Sequence, residues 1–477
     1  MLFTTPIFLL AFLPLVLAGA LSLGFVDRLR GGGHALANLW LFVCSLLFYF
    51  WGEQWLVLWM LASIGANWGL GLAIDRARAS GRSSRPWITL GVVLNLGLLG
   101  WFKYANFFVG DLIDGWVEIA LPIGISFYTF QALSYLLDVA RGDAEVQRNP
   151  LDFGLYIALF PQLIAGPIVR YHDIARQLAS RRIDIDGFAS GVRRFLIGLT
   201  KKVVIADWAA RGADGVFALP AAELSPGLAW VGLSAYTIQI YFDFSGYSDM
   251  AIGIARMLGF RLLENFRWPY VSQSITEFWR RWHISLSSWF RDYLYIPLGG
   301  NRRGALATYR NLVLVFLLCG LWHGAAWTFI AWGAYHGLFL VLERRGLGGV
   351  LQGLPRVLRH GYTLLVVLFG WLLFRADDLG HAVEYAGAMF GAGSSLDAHW
   401  RFHELVDNRV LCALVLGVVG STPWLEGLVR RRDEHAAAGG SVVAYDLAAT
   451  LGQLILLGIA LSFTAADTYN PFIYFRF

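Results

Sequence analysis

The chain has 477 residues, 57% of them hydrophobic and only 15% charged, where soluble domains carry roughly 25% charged residues. This composition excludes an ordinary soluble globular protein and predicts a polytopic membrane protein forming one integral domain over residues 1–477. A formal charge of +5 is too modest for nucleic acid to be the main partner. Cys44, Cys319 and Cys412 lie in apolar segments without metal-ligand or disulfide-framework spacing, so they read as small core hydrophobes and no metal is expected.

The first six residues hold no Lys or Arg ahead of the apolar run, unlike a cleaved signal peptide, so the first segment is expected to stay as a membrane helix. Apolar spans are predicted at 6–25, 36–51 and 55–74. Arg28 and Arg30 follow the first span, and Arg76, Arg78, Arg82 and Arg85 follow the third, whereas only Gly52, Glu53 and Gln54 separate the second from the third. Positive charge favours the cytoplasmic side, which places the N-terminus outside and both arginine-bearing loops inside.

Further spans are predicted at 87–102, 123–139, 155–168 and 227–242, then at 312–342, 362–374, 410–428 and 447–463. The stretch 312–342 is too long for one untilted crossing, so it is either two helices or one helix kinked near Gly320 and Gly324. The expected fold is all-α, with about ten to twelve transmembrane helices plus re-entrant and interfacial helices. No internal repeat is evident, which weakens an inverted-repeat transporter reading.

Between Arg170 and Lys202, the basic residues Arg170, His172, Arg176, Arg181, Arg182, Arg193, Arg194, Lys201 and Lys202 are interleaved with apolar ones. Amphipathic helices at the cytoplasmic surface fit this pattern, either anchoring on anionic lipid or receiving a phosphate-bearing cofactor. Asp243 and Asp249, beside Gly246, read as helix-terminal caps or as lining of a cavity.

The chemistry is expected in a core segment, residues 277–342. Residues 277–303 are too charged for a lipid-facing helix and too aromatic for an ordinary loop, which fits a re-entrant or cavity-lining segment. Arg280, Arg281, Arg291, Arg302 and Arg303 are candidates to clamp phosphates through the guanidinium fork, with interfacial snorkelling as the plainer alternative. His323 lies inside the apolar run, where a histidine is costly unless it lines a pathway or does chemistry, and Gly320 and Gly324 are expected to leave its ring open. His336 lies 13 residues on, about 220° around a continuous helix, so the two would not share a face. A dyad of Cys319 with His323 is disfavoured, because nothing nearby would lower the thiol pKa.

The sequence Phe278-Trp279-Arg280-Arg281-Trp282-His283-Ile284-Ser285-Leu286, with Tyr295 to Arg302 and Gly320-Leu321-Trp322-His323-Gly324, resembles the core signature of the membrane-bound O-acyltransferase family. The nearest resemblance is to its alginate O-acetyltransferase-like bacterial branch. Supporting matches lie at 161–168, 241–249 and 470–477, so the resemblance spans nearly the whole chain. It implies transfer of an acyl group from a cytoplasmic thioester donor, acetyl-CoA, towards the outer face for modification of an exported or cell-wall polysaccharide. The D-alanyl branch, with a carrier-protein donor, is the alternative.

By position, His323 matches the family's catalytic histidine and His283 the site of its second Asn/Asp/His. The tail, residues 470–477, contains F-x-Y-x-x-F and is similar to the motif of a peptide that accompanies the D-alanyl transferase, which makes Tyr474 a candidate acyl relay; the plainer reading is an aromatic interfacial anchor. No soluble domain follows the last span, so an extracytoplasmic transferase partner is expected. The bacterial inner membrane is the expected location. Outside the enzymes, the competing reading is a proton-coupled glycan exporter using His323 and His283 as a relay.

Overall fold

The computed structural model describes residues 2–392, apart from 111, 112, 114, 115 and 117, and residues 402–466. The described secondary structure is helical, with no strand among the described residues. Among the described residues, six helical stretches are long and apolar enough to cross a membrane, or seven if Asn408–Gly420 and Trp424–Ala437, bent by 49°, form one broken span. The chain is thus a multi-pass, all-helical membrane protein. It divides into two compact units, the first comprising Met1–Phe195, Ser248–Glu264 and Arg291–Tyr293, the second Leu196–Tyr247, Asn265–Phe290 and Leu294–Phe477.

In the first unit, α1 (Leu13–Leu29), α2 (Ala35–Glu53), α3 (Val57–Ala79) and α4 (Arg85–Val109) follow the predicted apolar runs. Arg76 and Arg78 sit in the last turn of α3, where cations complement the helix dipole. Asn67 of α3 and Asn95 of α4 exchange side-chain hydrogen bonds of 3.2 and 2.7 Å, which satisfies two amides that would be costly in lipid. The run at 123–139 is α5 (Ile125–Arg141), ended by Gly142 at φ +82°, the left-handed stop that glycine adopts without penalty. The run at 155–168 does not form one helix. It gives α6 (Pro150–Ala158), capped by Asn149, and a single turn at Phe160–Leu163, because Pro161 removes a backbone donor from the continuing ladder.

The basic stretch forms α7 (Tyr171–Ala179) and α8 (Ile185–Thr200), as its amphipathic spacing implies. Several of its cations meet carboxylates within the protein. Arg170 pairs with Asp173 and with Asp292 at 2.8 and 2.6 Å, and Arg194 with Asp249 and Glu264 at 2.7 and 2.5 Å. Buried Asp138 accepts from the Tyr293 hydroxyl at 2.6 Å and pairs with His172 Nδ1 at 2.9 Å.

In the second unit, Lys202 is buried and pairs with Asp207 at 2.6 Å and Asp243 at 3.0 Å. Asp243 and Asp249 therefore depart from the helix-terminal expectation: both lie inside the 32-residue helix α9 (Pro226–Met257) and serve as counter-ions. Two short helices, α10 (Ile275–Arg281) and α11 (Ile284–Phe290), precede α12 (Ala305–His323) and α13 (Trp327–Leu342). The long run at 312–342 is thus two helices, separated by extended backbone at Gly324 and Ala326. They pack antiparallel with their backbones close, Gly320 against the Phe329 carbonyl and Gly333 against the Phe316 carbonyl, the approach that small residues permit. Next come α14 (Arg356–Arg375), α15 (Asn408–Gly420), α16 (Trp424–Ala437) and α17 (Val443–Ala466).

Candidate active site

His323 is the last residue of α12 and is only 8% exposed. Its ring meets Trp332 of α13 and Phe374 of α14 edge-on, at centroid distances of 5.1 and 5.2 Å, and Trp322 at 5.1 Å. Gly320 and Gly324 do not open a window beside it. They accept the backbone and ring of Phe329, so their service is to bring α13 close. The separation of His336 from His323 also changes, since the premise of one continuous helix fails. His336 stands on the same Trp332, at 5.1 Å.

His283 joins α10 to α11 and is fully buried. Its φ of +44° lies in the left-handed region, where a residue with a Cβ is strained and the strain is commonly found at functional sites. Asn265 holds the turn. Its Oδ1 lies 3.1 Å from His283 Nδ1 and accepts from the Ser285 amide and hydroxyl at 3.2 and 2.9 Å, while the Ile284 amide donates to the Asn265 carbonyl at 2.9 Å. Nε2 has no hydrogen-bond partner among the described residues. Burial pushes the His283 pKa down to about 3, so the ring is neutral; with Nδ1–H donating to the Asn265 oxygen, Nε2 is left as an acceptor.

The two histidines share one neighbour. Trp322 lies against His283 at 6.1 Å and against His323 at 5.1 Å. A continuous aromatic wall, Trp332, Trp371, Trp282, Phe266 and Phe244, runs between them on another side. Tyr270 braces it by accepting from Trp371 Nε1 at 3.1 Å and donating to the Thr237 carbonyl at 2.7 Å. This wall is aromatic and largely buried, so it excludes water from the space beside it.

The five arginines proposed as phosphate clamps differ in their partners. Arg281 is bound to Glu277 at 2.8 Å and to the Arg267 carbonyl at 3.1 Å. Arg291, in the first unit, is bound to Asp292 at 2.7 Å. Arg280, Arg302 and Arg303 are exposed. Tyr474 and the rest of the tail motif lie outside the described residues. Among the described residues no group of three His, Cys, Asp or Glu side chains is placed to hold a metal ion. A cleft of about 1090 Å³ in the first unit, lined by Arg78, Arg148, His172 and Arg176 together with Asp75, Asp143 and Glu145, contains neither histidine.

Sequence reasoning missed Asn265, whose only signal would have been its amide type, 18 residues from its partner. It also missed Glu343. This buried carboxylate accepts from the Ile275 and Thr276 amides at 2.6 and 2.9 Å and so fixes the first turn of α10, where orphan helix donors need an acceptor.

Comparison with known proteins agrees with this arrangement. Residues 143–347 match the model of MBOAT, the membrane-bound O-acyltransferase family. The chain is 42% identical to the probable alginate O-acetylase AlgI of Pseudomonas aeruginosa across the whole of both chains. It is 35% identical to the peptidoglycan O-acetyltransferase of Helicobacter pylori, over all of this chain and 98% of that one. Similarity to the teichoic acid D-alanyltransferase of Bacillus subtilis, 31% identical, covers 46% of this chain and 58% of that one. With a full-length match at this identity and the family's core motifs gathered in one unit, the chain is an acyltransferase belonging to the alginate O-acetylase-like branch of the membrane-bound O-acyltransferase family.

Proposed function

We propose that this protein is a membrane O-acetyltransferase that moves acetyl groups from cytoplasmic acetyl-CoA towards the extracytoplasmic side for O-acetylation of an exported or cell-wall polysaccharide. The observation that carries the reading is the placement of His323 and His283 on the same tryptophan, Trp322, within an aromatic wall, in a chain whose full-length relatives are named for polysaccharide and peptidoglycan acetylation.

His323 acts as general base. It takes the proton of the attacking hydroxyl as the oxygen bonds to the thioester carbonyl carbon. The carbon–sulfur bond then breaks, and the proton passes to the departing thiolate; a positioned base of this kind contributes roughly 10²- to 10⁴-fold. His283, neutral and held by Asn265, offers its Nε2 lone pair to the attacking hydroxyl and so helps to orient it beside the thioester. With Arg281 and Arg291 already neutralised, Arg280, Arg302 and Arg303 are the members of the original set left for the donor's phosphates.

Tyr474 is the proposed first acceptor, passing acetyl to a separate extracytoplasmic transferase that completes transfer to the glycan. The protein works in the bacterial inner membrane with its N-terminus outside. A carrier-protein donor is the second reading, favoured by the similarity to the D-alanyltransferase. Membership of an acyltransferase family sets aside the exporter.

The test is transfer of radiolabelled acetyl from acetyl-CoA to the purified protein in nanodiscs, comparing the unaltered chain with His323→Ala and Tyr474→Phe. Label on the unaltered chain, lost in both variants, is the expected result. Label that survives Tyr474→Phe removes the tyrosyl relay, and label that survives His323→Ala removes the base.

A further inference from the structure

One end of the α12, α13 and α14 packing gathers exposed arginines, of which the acyl-transfer reading uses Arg302 and Arg303 and leaves three unassigned. The antiparallel register fixes where they lie. Gly320 meets Phe329, Gly333 meets Phe316 and Gly337 faces Val313, so the next turns bring Arg344 and Arg345 level with Ala305 and Leu306, beside Arg302 and Arg303. From α14, Tyr362 meets Phe339 edge-on at 6.2 Å and donates to Glu343 at 3.3 Å, which brings Arg356 to the same end. Arg302, Arg303, Arg344, Arg345 and Arg356 are all exposed.

Between 294 and 376 the sequence has one carboxylate, Glu343, and it is turned inward. It is buried and accepts from Ile275, Thr276 and Tyr362. None of the five arginines forms an ion pair among the described residues. Apolar side chains are exposed among them, with Leu306 at 82%, Val357 at 79% and Val350 at 62%. Both Ala305–His323 and Arg356–Arg375 are long and apolar enough to cross a membrane, so this end of each is where hydrocarbon gives way to headgroups.

We propose that this end, centred on Arg344, Arg345 and Arg356, is a docking surface for the phosphate headgroups of anionic phospholipids. Guanidinium forks match phosphate oxygens in twos, and the interleaved Leu306, Val350 and Val357 suit acyl chains, which a soluble nucleotide would leave in water. The inference is independent of the identity of the acyl donor.

The experiment is native mass spectrometry of the full chain in detergent, titrated separately with phosphatidylglycerol, cardiolipin and phosphatidylcholine. The anionic lipids are expected to be retained and phosphatidylcholine lost. In the triple variant R344Q/R345Q/R356Q, retention should weaken by roughly 100-fold, about fivefold per arginine near an anionic surface. R344K/R345K/R356K should keep most of it. Equal retention of phosphatidylcholine by the unaltered chain overturns the proposal, and that comparison needs no variant to fold. So does undiminished retention by the Gln variant, or displacement of bound lipid by free coenzyme A, which would assign the arginines to the donor.

Discussion

Asn265 is the side chain on which the geometry of His283 depends. Removing its amide by Asn265→Ala leaves Nδ1 of His283 and the hydroxyl of Ser285 without their buried acceptor. The expected result is a fall in kcat of roughly 10²-fold, the lower range for loss of a positioned acid–base group, with the KM for donor little changed; steady-state acetyl transfer checks it. His172 makes a different prediction. Hydrogen bonds donated to Asp138 and Asp173, opposed by partial burial, raise its pKa to about 9, from an unfolded value near 6.5. A raised folded pKa stabilises the fold fully below the unfolded value, and the stabilisation is lost as pH rises through about 9. The unfolding temperature should therefore fall between those limits in the unaltered protein, and His172→Gln should flatten that part of the profile. Neither residue stood out in the sequence for these roles, because Asn265 and Asp138 act on partners 18 and 34 residues away.

At the scale of elements, the close approach of α12 and α13 is set by glycines whose faces leave no room for a side chain. Gly333→Val should force the helices apart, at a cost of about 1–3 kcal/mol for overpacking, seen as a lower unfolding temperature together with lost transfer, since His323 and Trp332 sit on opposite sides of that contact. Glu343→Gln weakens the charge-assisted bonds at the start of α10. A loss of about 1–3 kcal/mol is expected, again read from thermal unfolding. The length of 312–342 narrowed the sequence reading to two helices or one kinked helix, between which the structure decides, and the first four helices were legible from their apolar runs. The counter-ion roles of Asp243 and Asp249 were not. Local sequence around Gly246 suggested a helix end, whereas their partners Lys202 and Arg194 lie more than a hundred ångströms of extended chain away, on the order of 3.3 Å per residue.

For the whole molecule, composition alone dictated a membrane protein, and the aromatic, arginine-rich core motif was sufficient to indicate its chemistry. The charge of the loops sets an expected orientation that a reporter can check. A phosphatase reporter that is active only outside the cytoplasm should be active when fused after Glu53 and inactive when fused after Arg82, if the arginine-bearing loops face inward. The reverse pattern would place the donor site on the wrong side for acetyl-CoA. That Arg281 and Arg291 already hold carboxylates was not legible, because sequence gives no account of which guanidinium is paired.

The left-handed backbone at His283 restricts the amino-acid alphabet there in a way that can be exploited. Asn, Asp and His are the non-glycine residues most tolerant of positive φ, and they are also the three alternatives that the family resemblance assigns to this position. Chemistry and backbone therefore select from the same short set. Replacement by Ala or Val conflates a lost imidazole with a backbone that resists the turn, so an inactive product would say little. His283→Asn retains the turn and removes the ring, and His283→Gly retains the turn and removes every side-chain atom. Together these two, and not an alanine scan, separate what the imidazole contributes from what the bend contributes.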